Sequence, residues 1–383
     1  MKFVFAPDSF KGSLSAMEAV RLLELAAHRH FPEAECVCVP VADGGEGTVD
    51  ALCLACGGQQ MQTTVTGPMG RPVQAGYALV DGGATAILEM AQASGLPLVR
   101  PDAPDPMRAT SFGTGELMRK VLLDGARKLL IGIGGSATND GGMGMLCALG
   151  ARFFDGRGVL LAGCGADLAR VARVDLSGLC PELRNVEIQV ICDVTNPLLG
   201  ERGATAIYGP QKGVTSQMMP ALEAGMENYA NCMKRALGRD IAAFPGAGAA
   251  GGMGAALGGV LGATMRSGID AVLDIVCFDE LLKGCDLAVT GEGRIDWQSV
   301  EFGKVPAGVA QRCRERGVPV AAIVGGMGDG AEAFYELGET VIVPTSSGPM
   351  TLENAMQNAP ELFSQAADRL FRILKMGAHI GSR

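Results

Sequence analysis

Histidine is nearly absent. The 383 residues hold three, His28, His30 and His379, and none lies in a polar or glycine-rich loop. That argues against a Ser–His–Asp hydrolase or a histidine-based acid–base enzyme, so any general base is expected to be a carboxylate. Blocks of positive charge are missing too: 32 Lys and Arg face 41 Asp and Glu, for a net charge of −9. Binding a nucleic-acid backbone needs a basic patch, so nucleic acid is not an expected partner. No G-x-x-x-x-G-K-[ST] motif occurs, because Gly303-Lys304 lacks the earlier glycine and the following hydroxyl; a P-loop kinase is not supported.

Long apolar runs are also lacking. Residues 242–265 carry no charge, but glycine is frequent there and large apolar side chains are few. A membrane span is not expected; a buried glycine-rich loop leading into a small-residue helix is. The opening MKFVFAP is too short for a secretory signal. The twelve cysteines are scattered, several in apolar runs (Cys147, Cys192, Cys277), and the Cys53/Cys56 pair has no second pair nearby. They read as reduced structural thiols of a cytoplasmic protein.

What is abundant is glycine: 56 residues, about twice the ordinary share of roughly 7%. The glycines gather in short loops between apolar runs, as tight turns and close backbone approaches require. The length predicts two domains. Residues 2–6 and 35–41 read as strands around a helix opened by a Ser15/Glu18 capping box. Further strands at 286–291, 318–326 and 340–345 alternate with helices at about 305–316 and about 351–375. The stretch between has its own strands at 75–80, 85–90, 128–133 and 187–193. The expected fold is α/β: a flavodoxin- or Rossmann-like parallel-sheet domain from 1–65 and 283–383, with a second α/β domain, 66–282, inserted into it and the active site in the cleft.

In such sheets ligands bind beyond the C-terminal strand ends, where several polar loops fall. PDSFKGS carries Asp8, Lys11 and Ser13 at a helix start, suited either to phosphate or to satisfying its own turn. ADGGEGT carries Asp43 and Glu46, a metal or hydroxyl site or a dipole complement. CDVTNPLLG places Asp193 at a strand end, and GEGRID adds Glu292, Arg294 and Asp296; the arginine could grip an anion. GPQKG presents Lys212 in a turn, and PGAGAAGG offers the amides of Gly246, Gly248, Gly251 and Gly252 to phosphates, which makes these the expected nucleotide-binding residues. Carboxylates, a few cations and glycine loops suit phosphoryl transfer. Against this stands IGIGGSATNDGG, where Gly132, Gly134 and Ala137 fit a dinucleotide fingerprint with Asp155 about 20 residues on. The helix does not begin where that turn ends, and TNDGG would go unexplained; an NAD-dependent dehydrogenase is the weaker reading.

With these loops identified, the chain resembles the bacterial glycerate kinase family, type 1 (class II). DSFKGSLS, ADGGEGT, GPMGRPV, TSFGTGEL, IGIGGSATNDGG, CDVTNPL, GPQKG, PGAGAAGG and TGEGRID occur in the family's order, and similarity continues through GKVPAGVA. Between Asp296 and Gly303 the chain departs from the family pattern by one extra residue, which leaves Lys304 outside the expected contacts. The resemblance implies ATP- and Mg²⁺-dependent phosphorylation of D-glycerate, with 2-phosphoglycerate as product. On residue type, Asp193 is the expected general base with Asp296 second. Arg294 and Arg71 are expected at the substrate carboxylate, and Lys11 and Lys212 at the transferred charge. Asp8, Ser13, Ser136, Thr138, Asn139, Asp140 and Glu292 would line the substrate site, and Asp43 and Glu46 would hold Mg²⁺. Alternatives are a glycerate 3-kinase, a kinase of a related hydroxy acid, or a non-catalytic metabolite-binding protein. The oligomeric state is not expressed in the sequence.

Overall fold

The computed structural model describes residues 1–41, 48–301 and 303–381. In chain order its strands are β1 (Lys2–Pro7), β2 (Glu35–Cys38), β3 (Gln59–Thr66), β4 (Pro72–Val80), β5 (Thr85–Glu89), β6 (Lys128–Gly132) and β7 (Arg152–Phe154). They continue as β8 (Arg173–Asp175), β9 (Glu187–Ile191), β10 (Thr264–Arg266), β11 (Leu287–Glu292), β12 (Val320–Val324) and β13 (Thr340–Pro344). The described residues divide into two compact α/β units, one of 1–41, 54–56 and 267–381, the other of 48–53 and 57–266.

The first unit is built on a five-stranded, all-parallel sheet in the order β13-β12-β11-β1-β2. Counted within the unit this is the doubly wound order 2-1-3-4-5, and strand order reverses between β1 and β11. Phe3, Phe5, Val289, Ala321 and Ile323 share a face, packed with Leu23 and Ala27 of helix Ala16–His30 and with Phe363 and Phe371 of helix Ala359–Gly381. Helix Val305–Glu315 also contacts β1, β11 and β12. The Ser15/Glu18 capping box is present, with Ser15 Oγ accepting the Glu18 amide at 3.2 Å and Glu18 Oε2 accepting the Ser15 amide at 3.0 Å. Loss of such a cap costs about 1 kcal/mol.

The second unit has a six-stranded sheet in the order β10-β9-β6-β5-β4-β3, parallel from β10 to β5 and antiparallel from there to β3. A separate hairpin joins β7 and β8. Residues 59–66, most of which the expected boundary at residue 65 places in the first domain, pair along their whole length with β4 of the second unit's sheet. QQMQTTVT is a polar edge strand, so it lacks the apolar alternation that marks its neighbours. The helical segment expected at 351–375 is two helices, Leu352–Gln357 and Ala359–Gly381. In the charge-free stretch, three consecutive left-handed residues, Ala250 to Gly252, precede a wide π-helical turn at Ala255–Val260. Among the described residues no helix is long and apolar enough to cross a membrane.

Candidate active site

In the first unit, β1 and β11 lie side by side at the switch point, and each runs into a polar loop. The Asp8 amide donates to the Gly291 carbonyl at 2.9 Å, which ties the first loop to the end of the neighbouring strand. Asp8 and Glu292 are each 7% exposed. Asp8 Oδ1 accepts the Ser9 amide at 2.6 Å, and Ser13 closes the turn by donating its hydroxyl to the Phe10 carbonyl at 2.9 Å. Lys11 stands exposed on the same loop. Past Glu292, Arg294 reaches outward to 3.7 Å from the Asp296 carboxylate. Asp296 Oδ1 accepts the Gln298 and Ser299 amides at 3.0 and 3.3 Å, at the start of helix Trp297–Glu301.

Glu292 is the unusual group of this cluster. Ser299, itself fully buried, lies beside the carboxylate and favours its charged form, while Oε1 has no hydrogen-bond partner among the described residues. Burial is the largest cause of a pKa pushed up to about 7; the Ser299 hydroxyl and the Lys304 charge oppose it, and the charges of Asp8 and Asp296 add to it. Sequence reasoning did not single out Ser299 and set Lys304 aside. The available signal was the Asp-x-x-Ser spacing at Asp296, a helix-start pattern.

The second cluster lies in the other unit, on the loop after β6. Ser136 is 6% exposed, and Thr138, Asn139 and Asp140 are fully buried. Asp140 Oδ2 accepts the Ser111 amide and hydroxyl, both at 2.7 Å, and the Gly144 amide at 3.3 Å; Oδ1 accepts the Gly142 amide at 3.1 Å. Burial raises its pKa and these four bonds oppose the rise. Ser111, missed in the sequence, precedes helix Phe112–Leu123, and its hydroxyl also accepts the Met145 amide at 2.9 Å. Asn139 donates to Thr205 Oγ1 at 3.1 Å.

Lys212, 2% exposed, donates Nζ to the Thr138 carbonyl at 2.7 Å. Burial away from water pushes its pKa down to about 7, against the pull of the Asp140 charge. Gly251 stacks on the same loop: its carbonyl accepts the Gly141 amide at 3.0 Å, and a Cβ there would stand 2.0 Å from the Thr138 carbonyl oxygen. At Gly248 a Cβ would stand 2.1 Å from the Pro197 carbonyl oxygen. Gly246 abuts the Val194 carbonyl and Gly252 the Gly141 backbone. Backbone or side-chain neighbours leave no room for a Cβ at Gly248, Gly251 or Gly252.

Asp193 is exposed just beyond β9, and Arg71 is exposed in the turn joining β3 to β4. Asp43 and Glu46 lie outside the described residues. Glu89 is a further buried carboxylate that the sequence did not flag; it ends β5, lines a cleft of about 700 Å³, and accepts the Val49 amide at 2.9 Å. The turn after β6 does not lead directly into a helix; the next one begins only at Met143, so the dinucleotide arrangement is not built.

Comparison with known proteins agrees with this architecture. A glycerate kinase of Bacillus subtilis (strain 168) is 45% identical over 376 residues, covering 98% of each chain. A glycerate 2-kinase of Escherichia coli (strain K12) is 45% identical over 377 residues, covering 98% of this chain and 99% of that one. A crystal structure assigned to glycerate kinase 2 of Salmonella typhimurium LT2 superposes with a TM-score of 0.87 at 43% identity, covering 99% of both chains. The model of the glycerate kinase family matches residues 3–375, and the chain belongs to that family.

Proposed function

We propose that this protein transfers the γ-phosphoryl group of ATP to D-glycerate, with the C2 hydroxyl as acceptor and 2-phosphoglycerate as product. The observation that carries the reading is the family match across nearly the whole chain, together with 45% identity to a relative named glycerate 2-kinase. The first unit supports it chemically. Carboxylates and cations gather beyond the strand ends at the switch point, and phosphoryl transfer relies on positioning and charge neutralisation more than on covalent chemistry. Arg294 and Lys11 are the proposed partners of substrate carboxylate and transferred phosphoryl. The inward bond of Lys212 to Thr138 favours holding the 138–140 loop in place.

Mg²⁺ is proposed to arrive with ATP, since it usually takes one or two protein carboxylates and fills its shell with phosphate and water. Among the described residues no group of three or more His, Cys, Asp or Glu side chains is arranged to hold a metal. Asp43 and Glu46, the carboxylates the sequence offers for the ion, lie outside the described residues, and no step is routed through it. A coupled assay of ADP formation with glycerate, erythronate and glycerol tests the reading. Glycerate is expected to give the highest kcat/KM; a preference for erythronate or glycerol, or thermal stabilisation by glycerate without ADP, would overturn it.

A further inference from the structure

Phosphorylating a hydroxyl requires a group to take its proton, and the sequence points to Asp193 or Asp296. Asp193 is exposed. Asp296 already accepts two helix amides and faces Arg294. Glu292 differs from both. It ends the strand at the switch point, is 7% exposed, and keeps Oε1 without a hydrogen-bond partner among the described residues. Its neighbour across the sheet is the Asp8 loop, tied to β11 through the Gly291 carbonyl. A buried carboxylate oxygen left unsatisfied is costly unless a ligand completes it.

We propose that Glu292 is the general base of the reaction, its Oε1 receiving the proton of the accepting hydroxyl. The assignment rests on the kinase reading above. Glu292 takes the proton as the hydroxyl oxygen bonds to the γ-phosphorus. The bond from that phosphorus to the β–γ bridging oxygen breaks, and its electron pair leaves with ADP. Glu292 then returns the proton to water.

The surroundings tune the group for this task. Asp8 faces it from the end of β1, Asp296 and Ser299 from the segment after β11, and Lys304 from the start of helix Val305–Glu315. The adjoining end of β12, Val324 and Gly325, carries no charge. A base works best with a pKa near the working pH, where it is largely deprotonated yet still takes up a proton; Glu292, at about 7, meets that condition.

The test is steady-state kinetics of the full chain with ATP and glycerate. Glu292→Gln is expected to lower kcat by about 10²–10⁴-fold. Wild-type kcat/KM should fall below an inflection near pH 7, a limb absent from the residual activity of Glu292→Gln. Turnover of Glu292→Gln within about tenfold of wild type would overturn the assignment. So would loss of the acidic limb in Asp193→Asn with its retention in Glu292→Gln. Should Glu292→Gln not fold, the wild-type profile decides, and a flat profile over roughly pH 5.5–8.5 overturns the proposal. A wild-type protein that makes no ADP from glycerate would sink the kinase reading itself, which is a separate result.

Discussion

Replacing Asp140 by asparagine separates a structural carboxylate from a substrate ligand. The carboxylate accepts four hydrogen bonds, three on Oδ2 and one on Oδ1. Asparagine offers one acceptor oxygen. In its better orientation it keeps the Ser111 and Gly144 donors and turns its amide nitrogen towards the Gly142 amide. A hydrogen bond to a charged group contributes about 1.5–3 kcal/mol, and a buried unsatisfied N–H costs about 1–3 kcal/mol. Removing a buried negative charge offsets part of this, because burial already disfavours the ionised form. The net loss should be about 2–4 kcal/mol; at about 2–4 °C per kcal/mol for a unit of this size, the unfolding midpoint should fall by roughly 10 °C. Lys212 would also lose the opposite charge that supports its ammonium. Thermal unfolding followed by circular dichroism, with KM for glycerate measured alongside, provides the assay. A midpoint unchanged within about 1 °C, with a raised KM, would refute the structural reasoning and make Asp140 a ligand.

Other consequences follow from the same geometry. Between pH 4.5 and about 7 native Glu292 binds a proton that the unfolded chain has released, so its stabilising effect is full below 4.5 and lost as pH rises through 7. That gap corresponds to about 3 kcal/mol; in urea denaturation Glu292→Gln should be more stable than wild type at pH 8 by up to that amount, and an advantage that does not change between pH 5 and 8 would contradict the argument. Gly251→Ala must place a Cβ 2.0 Å from the Thr138 oxygen at a φ of +69°, whereas Gly262, at +73°, opens into space. The first substitution should cost more than about 3 kcal/mol and the second only about 1–2 kcal/mol, the strain of left-handed backbone alone; equal unfolding midpoints for the two variants would be inconsistent with the packing.

Much of the first unit was legible because its central strands β1, β11 and β12 are buried on both faces and read as apolar runs, and because the Ser15/Glu18 cap is a local signal. The loops after β1 and β11 were legible as polar stretches at strand ends. Strand β3 was not, since its exposed polar residues carry no core pattern, and β10 is three residues long inside a glycine-rich stretch. Within the 136–140 loop, residue types announced a special backbone but not its partners. Asp140 meets Ser111 from 29 positions earlier, and Lys212 meets Thr138 across 74. The same holds for Glu292: TGEGRID shows a carboxylate beside an arginine, but only the fold buries it near Ser299 and leaves one oxygen without a hydrogen-bond partner among the described residues.

The account turns on what the protein makes from ATP and glycerate. Phosphorus and carbon NMR of the product distinguishes phosphorylation at C2 from phosphorylation at C3. The account predicts 2-phosphoglycerate and stoichiometric ADP; 3-phosphoglycerate, or glycerate recovered unchanged, would contradict it.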